Sequence, residues 1–376
     1  MIFQKKGGSL NYPFLVIIFV LISWGFFNLF LISIPFSLEK YGKSWYFGFH
    51  QLFFGLIPGI LIAYFFYKLN LNILKKISLF LFLLNLILLI LVFFPSIGVE
   101  IYGSKRWLNF GLFLFQPLEL LKITFLVYLC AWLSSKVKIK KKNIIENKWE
   151  ALFVFLTLLV ILGIILLSQP DFSGFGLIFL ISLFVYFLSL TPWWHSLILI
   201  FLSGIIAIFF VIIAPYRLVR FFPLIYPRID PLGIGYQLEQ ALIALGSGGL
   251  FGIEGGFGLG ISRQKFGFLP HFLTDSVFAV IGEELGFLGS SFLILLFLLF
   301  GWQGLKISLE AKNEFERLLA AGITFWIVLQ AFLNIGGIIG ILPLSGIPLP
   351  FFSYGASHFL IEMIGIGILL NISKKD

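Results

Sequence analysis

The chain has 376 residues, of which 60% are hydrophobic and 11% charged, with 26 Lys and Arg against 17 Asp and Glu and a formal net charge of +9. A soluble domain cannot hide so large an apolar share, because its surface needs more charge to meet water, so a soluble fold is excluded and lipid is the alternative solvent. The positive surplus would suit a polyanion such as nucleic acid, but its distribution along the chain reads as membrane topology instead.

A helix needs about 20 apolar residues to cross a hydrocarbon core of about 30 Å. Runs of that order recur at 12–33, 47–66, 77–94, 117–134, 149–168, 172–190, 194–214, 275–301, 314–338 and 354–372. The first run is too long for a cleavable signal and lacks a small-residue cleavage site, so it reads as the first span. Lys5 and Lys6 precede it, and Lys68, Lys75 and Lys76 follow the second run. The densest cluster, from Lys136 to Lys148, follows the fourth; Lys306 and Lys312 follow the eighth, and Lys374 and Lys375 end the sequence. By the positive-inside rule these segments face the cytoplasm, with both termini inside. The expected fold is an all-α integral membrane protein of about ten transmembrane helices, forming one polytopic domain over 1–376.

The segments 34–45, 95–116, 169–171, 214–273 and 339–353 then face outward, and 135–148 is a basic cytoplasmic linker. Loop 214–273, between the seventh and eighth helices, is rich in Gly, Pro, Arg and aromatics, and its apolar part 237–245 is suited to a short interfacial helix. The segment 339–353 is broken by Pro and Gly yet largely apolar. Non-helical backbone at that depth survives only under cover of protein or a cavity, so it reads as a re-entrant wall of a binding site. Cys130, the one cysteine, lies inside the fourth run and reads as packing.

Ionisable groups at membrane depth are functional candidates. Asp275 stands where the long loop meets the eighth run. Partial shielding there would lift its pKa toward a general base, whereas service as an N-cap would lower it. Thr274 could provide that cap and leave Asp275 free. Glu283, eight residues on, stays within a quadrant of Asp275 at about 100° per residue, and Glu284 points away. One of the two is expected to support the site and the other to pair with a neighbouring helix. Glu119 and Lys122 share a face as an ion pair. His358 and Glu362, at i and i+4, read as a hydrogen-bonded pair more readily than as half a metal site. Lys105, Arg106, Arg217, Arg220, Arg228, Arg263 and Lys265 sit on outward loops against the usual charge bias. A lipid-linked phosphate or pyrophosphate would account for them, and anionic headgroups are the simpler alternative.

Several segments then carry a family likeness: Gly103-Ser-Lys-Arg-Trp-Leu108, Gln116-Pro-Leu-Glu-Leu-Leu-Lys122, Gln169-Pro-Asp-Phe-Ser-Gly174, Asp230-Pro-Leu-Gly-Ile-Gly-Tyr-Gln237, Ala244-Leu-Gly-Ser-Gly-Gly249, Leu269-Pro270 with Thr274-Asp275, Gly282-Glu-Glu-Leu-Gly286, and Gly346-Ile-Pro-Leu-Pro-Phe-Phe-Ser-Tyr-Gly355. In that order they make the chain resemble the FtsW/RodA/SpoVE group, the SEDS family, with residues 259–265 nearer its division-type FtsW branch. The resemblance implies a ten-helix peptidoglycan glycosyltransferase. Such an enzyme polymerises lipid II outside the membrane, beside a class B penicillin-binding protein. It also puts the family's essential aspartate on Asp275.

Inverting displacement of an α-linked pyrophosphate by a sugar 4-hydroxyl needs one base, for which Asp275 is the candidate. The leaving group needs charge compensation, from Lys and Arg or from a divalent cation such as Mg or Mn. Lys105, Arg106, Arg217, Arg220, Lys265 and Ser353 are the expected substrate contacts, with Glu119, Lys122, His271, Thr274 and Glu283 in support. The sequence departs from the family around the aspartate, where Pro-Glu-x-His-Thr-Asp becomes Pro270-His271-Phe272-Leu273-Thr274-Asp275. It departs again where Ala356 replaces the second glycine of Ser-Tyr-Gly-Gly-Ser and His358 follows Ser357. The competing readings are a flippase of lipid II and a non-catalytic scaffold that activates a penicillin-binding protein.

Overall fold

A computed structural model describes residues 11–101, 104–109, 111, 114–136, 148–189, 191–213, 233–253, 260 and 262–374. Its helices are α1 (Tyr12–Tyr41), α2 (Tyr46–Lys68), α3 (Leu71–Leu91), α4 (Pro117–Lys136), α5 (Lys148–Ser168), α6 (Phe172–Leu188), α7 (Trp193–Ile213), α8 (Ile234–Ser247), α9 (Val277–Leu309), α10 (Glu314–Ile338) and α11 (Ala356–Ile372). Among the described residues seven helices are long and apolar enough to cross a membrane: α1 to α5, α9 and α10. The apolar stretches Phe172–Leu188, Trp193–Gly204 and Ala356–Ile372 are shorter. A small antiparallel sheet, β1 (Gly98–Ile101), β2 (Ser104–Asn109) and β3 (Leu114–Phe115), occupies the segment before α4.

Four helix starts carry a side-chain cap. Asn11 accepts from the Phe14 amide at 3.2 Å, Asp171 from Gly174 at 3.0 Å, and Asn313 from Glu316 at 3.0 Å. Each satisfies an amide that the first turn leaves without a partner. The Asn70 cap, accepting from Asn72 at 3.0 Å, starts α3 at Leu71, six residues before the apolar run. Lys75 and Lys76, expected in a connecting segment, therefore lie inside the first turns of α3. Their long stems let the charge reach the polar boundary from there.

Helices α4 and α10 form the core, with 72% of their apolar stretches buried in protein, against 22% for α2. They pack on each other, on α6 and on α11, while α2 packs along α11 and α3 along α4. The polar residues of the interior follow that division. Glu119 and Lys122 on α4, Gln330 and Asn334 on α10, and His358 and Glu362 on α11 are all buried.

Two helices are interrupted. α2 contains a π-turn at Leu52–Leu56. α9 breaks at Gly286, whose φ of 66° and ψ of −161° lie outside helical space. Two amides freed just past the break donate to loop carbonyls, Phe287 to Gly249 at 2.9 Å and Leu288 to Leu250 at 3.1 Å. A Cβ at Gly252 or Gly248 would collide with the Glu284 or Gly282 carbonyl, so the glycines of this loop permit backbone-to-backbone contact. The helix α8, expected as a short interfacial helix over 237–245, spans Ile234–Ser247 and packs on α9, burying Leu238, Ala241 and Ala244 while Leu242 and Ile243 stay exposed.

Candidate active site

The turn 269–276 delivers the chain into α9. His271 adopts a left-handed φ of 54°, and its carbonyl accepts from the amides of Thr274 at 3.0 Å and Ser276 at 3.1 Å. Ser276 takes the N-cap position without a side-chain cap bond, and its hydroxyl instead accepts from Gln237 at 3.0 Å. The cap expected of Thr274 is therefore not made, because the turn places Thr274 two residues too early. Its hydroxyl donates to the His271 carbonyl at 3.3 Å and also meets the Asp275 carboxylate. Asp275 is half-buried, with its carboxylate free of capping duty. Burial pushes its pKa up, and the neighbouring His271 and the Thr274 hydroxyl pull it down less strongly.

Three consecutive carbonyls of this turn are each held from outside it. The Tyr354 amide donates to Leu273 at 2.7 Å, the Ser353 hydroxyl to Thr274, and the Asn334 side-chain amide to Asp275 at 2.7 Å. Two of these donors belong to the non-helical segment between α10 and α11, which thereby faces the Asp275 turn. Asn334 also donates to Ile347 at 2.8 Å, joining turn and segment through one side chain.

A polar interior backs this facing segment. Glu362 accepts from the Phe351 amide at 3.0 Å, Gln330 donates to Pro348 at 3.1 Å, and His358 Nε2 bonds the Ser353 carbonyl at 3.1 Å. His358 and Glu362, expected as a mutual pair, each bond this segment instead, because its amide and carbonyl groups require partners. Gln330 Oε1 accepts from Lys122 at 3.0 Å, and Lys122 lies 2.8 Å from Glu119 as a buried ion pair. On the other side, Gln51 at the π-turn accepts from the Gly355 amide at 3.2 Å, and His50 bonds the Tyr354 hydroxyl at 2.9 Å.

Other expected contacts are placed differently. Ser353, expected at the substrate, is buried with its hydroxyl donating to Thr274 and accepting from the Leu349 amide at 2.8 Å. Lys265 is also buried; its ammonium donates to the Gly260 carbonyl and lies 4.0 Å from Glu284. Burial pulls its pKa down, and Glu284 and Glu283 raise it in part. Glu283 receives the Ser262 hydroxyl and the amides of Arg263 at 3.2 Å and Gln264 at 3.3 Å. Glu284 receives the Ser262 amide at 3.4 Å. Both glutamates therefore anchor residues 262–265, where one was expected to meet a neighbouring helix, because these residues fold back onto their turn of α9.

Arg106 donates to the carbonyls of Gln169, at 3.1 Å, and Pro170, and lies 3.7 Å from Asp171, so it clamps the α5–α6 turn. Lys105 and Arg263 are exposed. Arg217, Arg220 and Arg228 fall outside the described residues. Sequence reading missed Asn334, Gln330, His50 and Gln51. Amides at i and i+4 within the apolar run 314–338 are the signal that could have found the first two.

Residues 12–376 match the profile of the cell cycle protein family FtsW/RodA/SpoVE. The chain belongs to the FtsW/RodA/SpoVE family. It is 34% identical over 371 residues to stage V sporulation protein E of Bacillus subtilis, covering 98% of each chain. It is 35% identical to a "Probable peptidoglycan glycosyltransferase FtsW" of Coxiella burnetii, over 91% of this chain and 90% of that one. Identity therefore ranks the division and sporulation relatives together. Among solved structures, a chain in "Structural coordination of polymerization and crosslinking by a peptidoglycan synthase complex" matches with a TM-score of 0.78 and 25% identity, over 97% of this chain and 98% of that one. The rod shape determining protein RodA of Thermus thermophilus matches with a TM-score of 0.69 and 25% identity, covering 97% of each. In this member of the family, no group of three or more His, Cys, Asp or Glu able to hold a metal ion occurs among the described residues.

Proposed function

We propose that this family member is a peptidoglycan glycosyltransferase that polymerises lipid II on the outer face of the bacterial cytoplasmic membrane, with Asp275 as general base. The observation that carries this reading is Asp275 itself. Its carboxylate is half-buried and free of capping duty, and its carbonyl and the two before it are bonded to other parts of the protein. The names of the FtsW relatives support the reaction class.

In the proposed step a sugar 4-hydroxyl oxygen attacks the anomeric carbon of the donor. The bond from that carbon to pyrophosphate breaks with inversion, and the hydroxyl proton passes to Asp275. Pyrophosphate leaves as an anion and needs no acid, only positive charge. Of the cations, exposed Lys105 and Arg263 remain open to it among the described residues, with Arg217 and Arg220 beyond them. Arg106 serves the fold first. A divalent cation such as Mg or Mn is the other proposed source of that charge.

The working topology has ten spans with both termini inside, which puts the Asp275 turn and the facing segment at the outer surface. A class B penicillin-binding protein is the proposed partner, in line with the synthase complex that joins polymerisation to crosslinking. The test is purified protein with labelled lipid II, wild type against Asp275→Asn, with and without a divalent cation and the cognate partner. Glycan strands that vanish in the variant support the reading. Strands made equally by the variant overturn the base, and no strands under any condition favours a flippase or a scaffold.

A further inference from the structure

We infer that Asn334 is a positioning residue for the proposed reaction, a one-sided amide clamp that sets the backbone of Asp275 against the segment facing it. The inference rests on the reading of Asp275 as the base. Asn334 is buried, and its Nδ2 donates to two carbonyls, Asp275 at 2.7 Å and Ile347 at 2.8 Å. Two acceptors fix which end of the amide points to them, since only the NH2 can serve both. Its Oδ1 takes no partner among the described residues. A buried acceptor left without a partner opposes stability, so the two donor bonds are what the amide contributes here.

The clamp sits beside a second buried amide. One turn earlier on the same face of α10, Gln330 donates to Pro348, the next carbonyl along the facing segment. It also accepts from Lys122 and from the Trp326 indole, at 3.0 and 2.9 Å. Gln330 and Asn334 thus read two successive carbonyls, of Pro348 and Ile347, and only Asn334 extends to the reacting turn. Ser353 and Tyr354 hold the neighbouring carbonyls of Thr274 and Leu273, which leaves Asn334 as the single side-chain hold on Asp275's own peptide group among the described residues. Proton transfer requires the base within hydrogen-bond reach of the attacking hydroxyl, and small displacements are expensive there.

The test compares Asn334→Asp, Asn334→Leu and a control, Asn371→Leu, in the full-length detergent-solubilised protein with labelled lipid II. Asn371 is built alike, donating to Phe66 at 2.8 Å and Leu69 at 2.6 Å, but on the far end of α11. Asn334→Asp keeps the shape and loses both donors, so both Asn334 variants are expected to lower kcat by about 10–100-fold with KM within about 2-fold. The control is expected to lose comparable thermal stability with little change in kcat. Wild-type kcat in the Asn334 variants, or an equal loss in Asn371→Leu, overturns the clamp.

A second arm needs no turnover. Carbodiimide labelling of Asp275, followed by mass spectrometry across pH, is expected to change in rate or midpoint in both Asn334 variants and not in the control. Unchanged labelling overturns the inference. Strand synthesis that survives Asp275→Asn would instead remove the base, while the labelling would still report whether Asn334 fixes Asp275.

Discussion

A methyl group added at Gly346 would stand 3.7 Å from Oδ2 of Asp275, in ordinary van der Waals contact, and Gly346 holds a φ of 66°. The segment between α10 and α11 thus passes the carboxylate as bare backbone. Gly346→Ala brings the left-handed penalty of roughly 1–2 kcal/mol and takes space beside the carboxylate. It is expected to lower kcat/KM for glycan synthesis more than it lowers the thermal unfolding midpoint. Gly340→Ala serves as control, since Gly340 has a φ of 75° and an added Cβ there would meet Leu238 and not the carboxylate.

Replacing the base should be decisive. General-base catalysis contributes about 10²–10⁴-fold, so Asp275→Asn is expected to cut kcat by at least that range while leaving lipid II binding measurable. Strand length on gels and binding by fluorescence anisotropy separate the two.

The acid side of the pH profile follows from the same carboxylate. A base works deprotonated, and burial raises the Asp275 pKa above the ordinary aspartate value of about 4. Activity should therefore fall with acidification at a higher pH than an exposed aspartate would give. His271 opposes that rise, so His271→Ala is expected to move the acid limb to still higher pH. A limb that moves down or stays put would remove His271 from the electrostatics of the base.

The buried Glu119–Lys122 pair supports Gln330 and, through it, the facing segment. Lys122→Met leaves a carboxylate buried without its partner, which typically costs about 3–5 kcal/mol. The double variant Glu119→Leu/Lys122→Met is expected to recover most of the stability, measured as the unfolding midpoint in detergent. Activity should recover less, because Gln330 Oε1 still lacks the ammonium.

Gly252 combines a φ of 95° with contact to the Glu284 carbonyl group, whose carbon would lie 2.7 Å from an added Cβ. Gly252→Ala is expected to destabilise by about 1–3 kcal/mol from backbone strain, with more from the collision. Proteolysis of the α8–α9 connection in detergent would report it.

The membrane class and the helix order could be read directly, because apolar length is a local property of sequence. Asp275 was also legible, as a carboxylate at a helix entrance within a recognisable motif. What holds it was not. Its turn is fixed by the carbonyls of Leu273, Thr274 and Asp275, atoms that every residue carries and no pattern marks. Lys265 shows the opposite difficulty. A loop lysine advertises charge, but its partners at Gly260 and Glu284 exist only once the loop folds back on α9. The break at Gly286 was equally silent, since Gly-Glu-Glu-Leu-Gly scans as uninterrupted helix. It arises from contact with backbone about thirty-five residues earlier.

That break has a mechanical consequence. On the N-terminal side of Gly286, the nine residues Val277–Leu285 are tied to α8 and to residues 262–264; on the C-terminal side, the rest of α9 carries exposed Phe292, Leu295, Leu298 and Trp302. A spanning helix answers a thicker or thinner bilayer by tilting, and tilt in a continuous rod would swing its entrance. A hinge at the glycine would take up that swing before it reaches the Asp275 turn, whose carbonyls are held by Tyr354, Ser353 and Asn334.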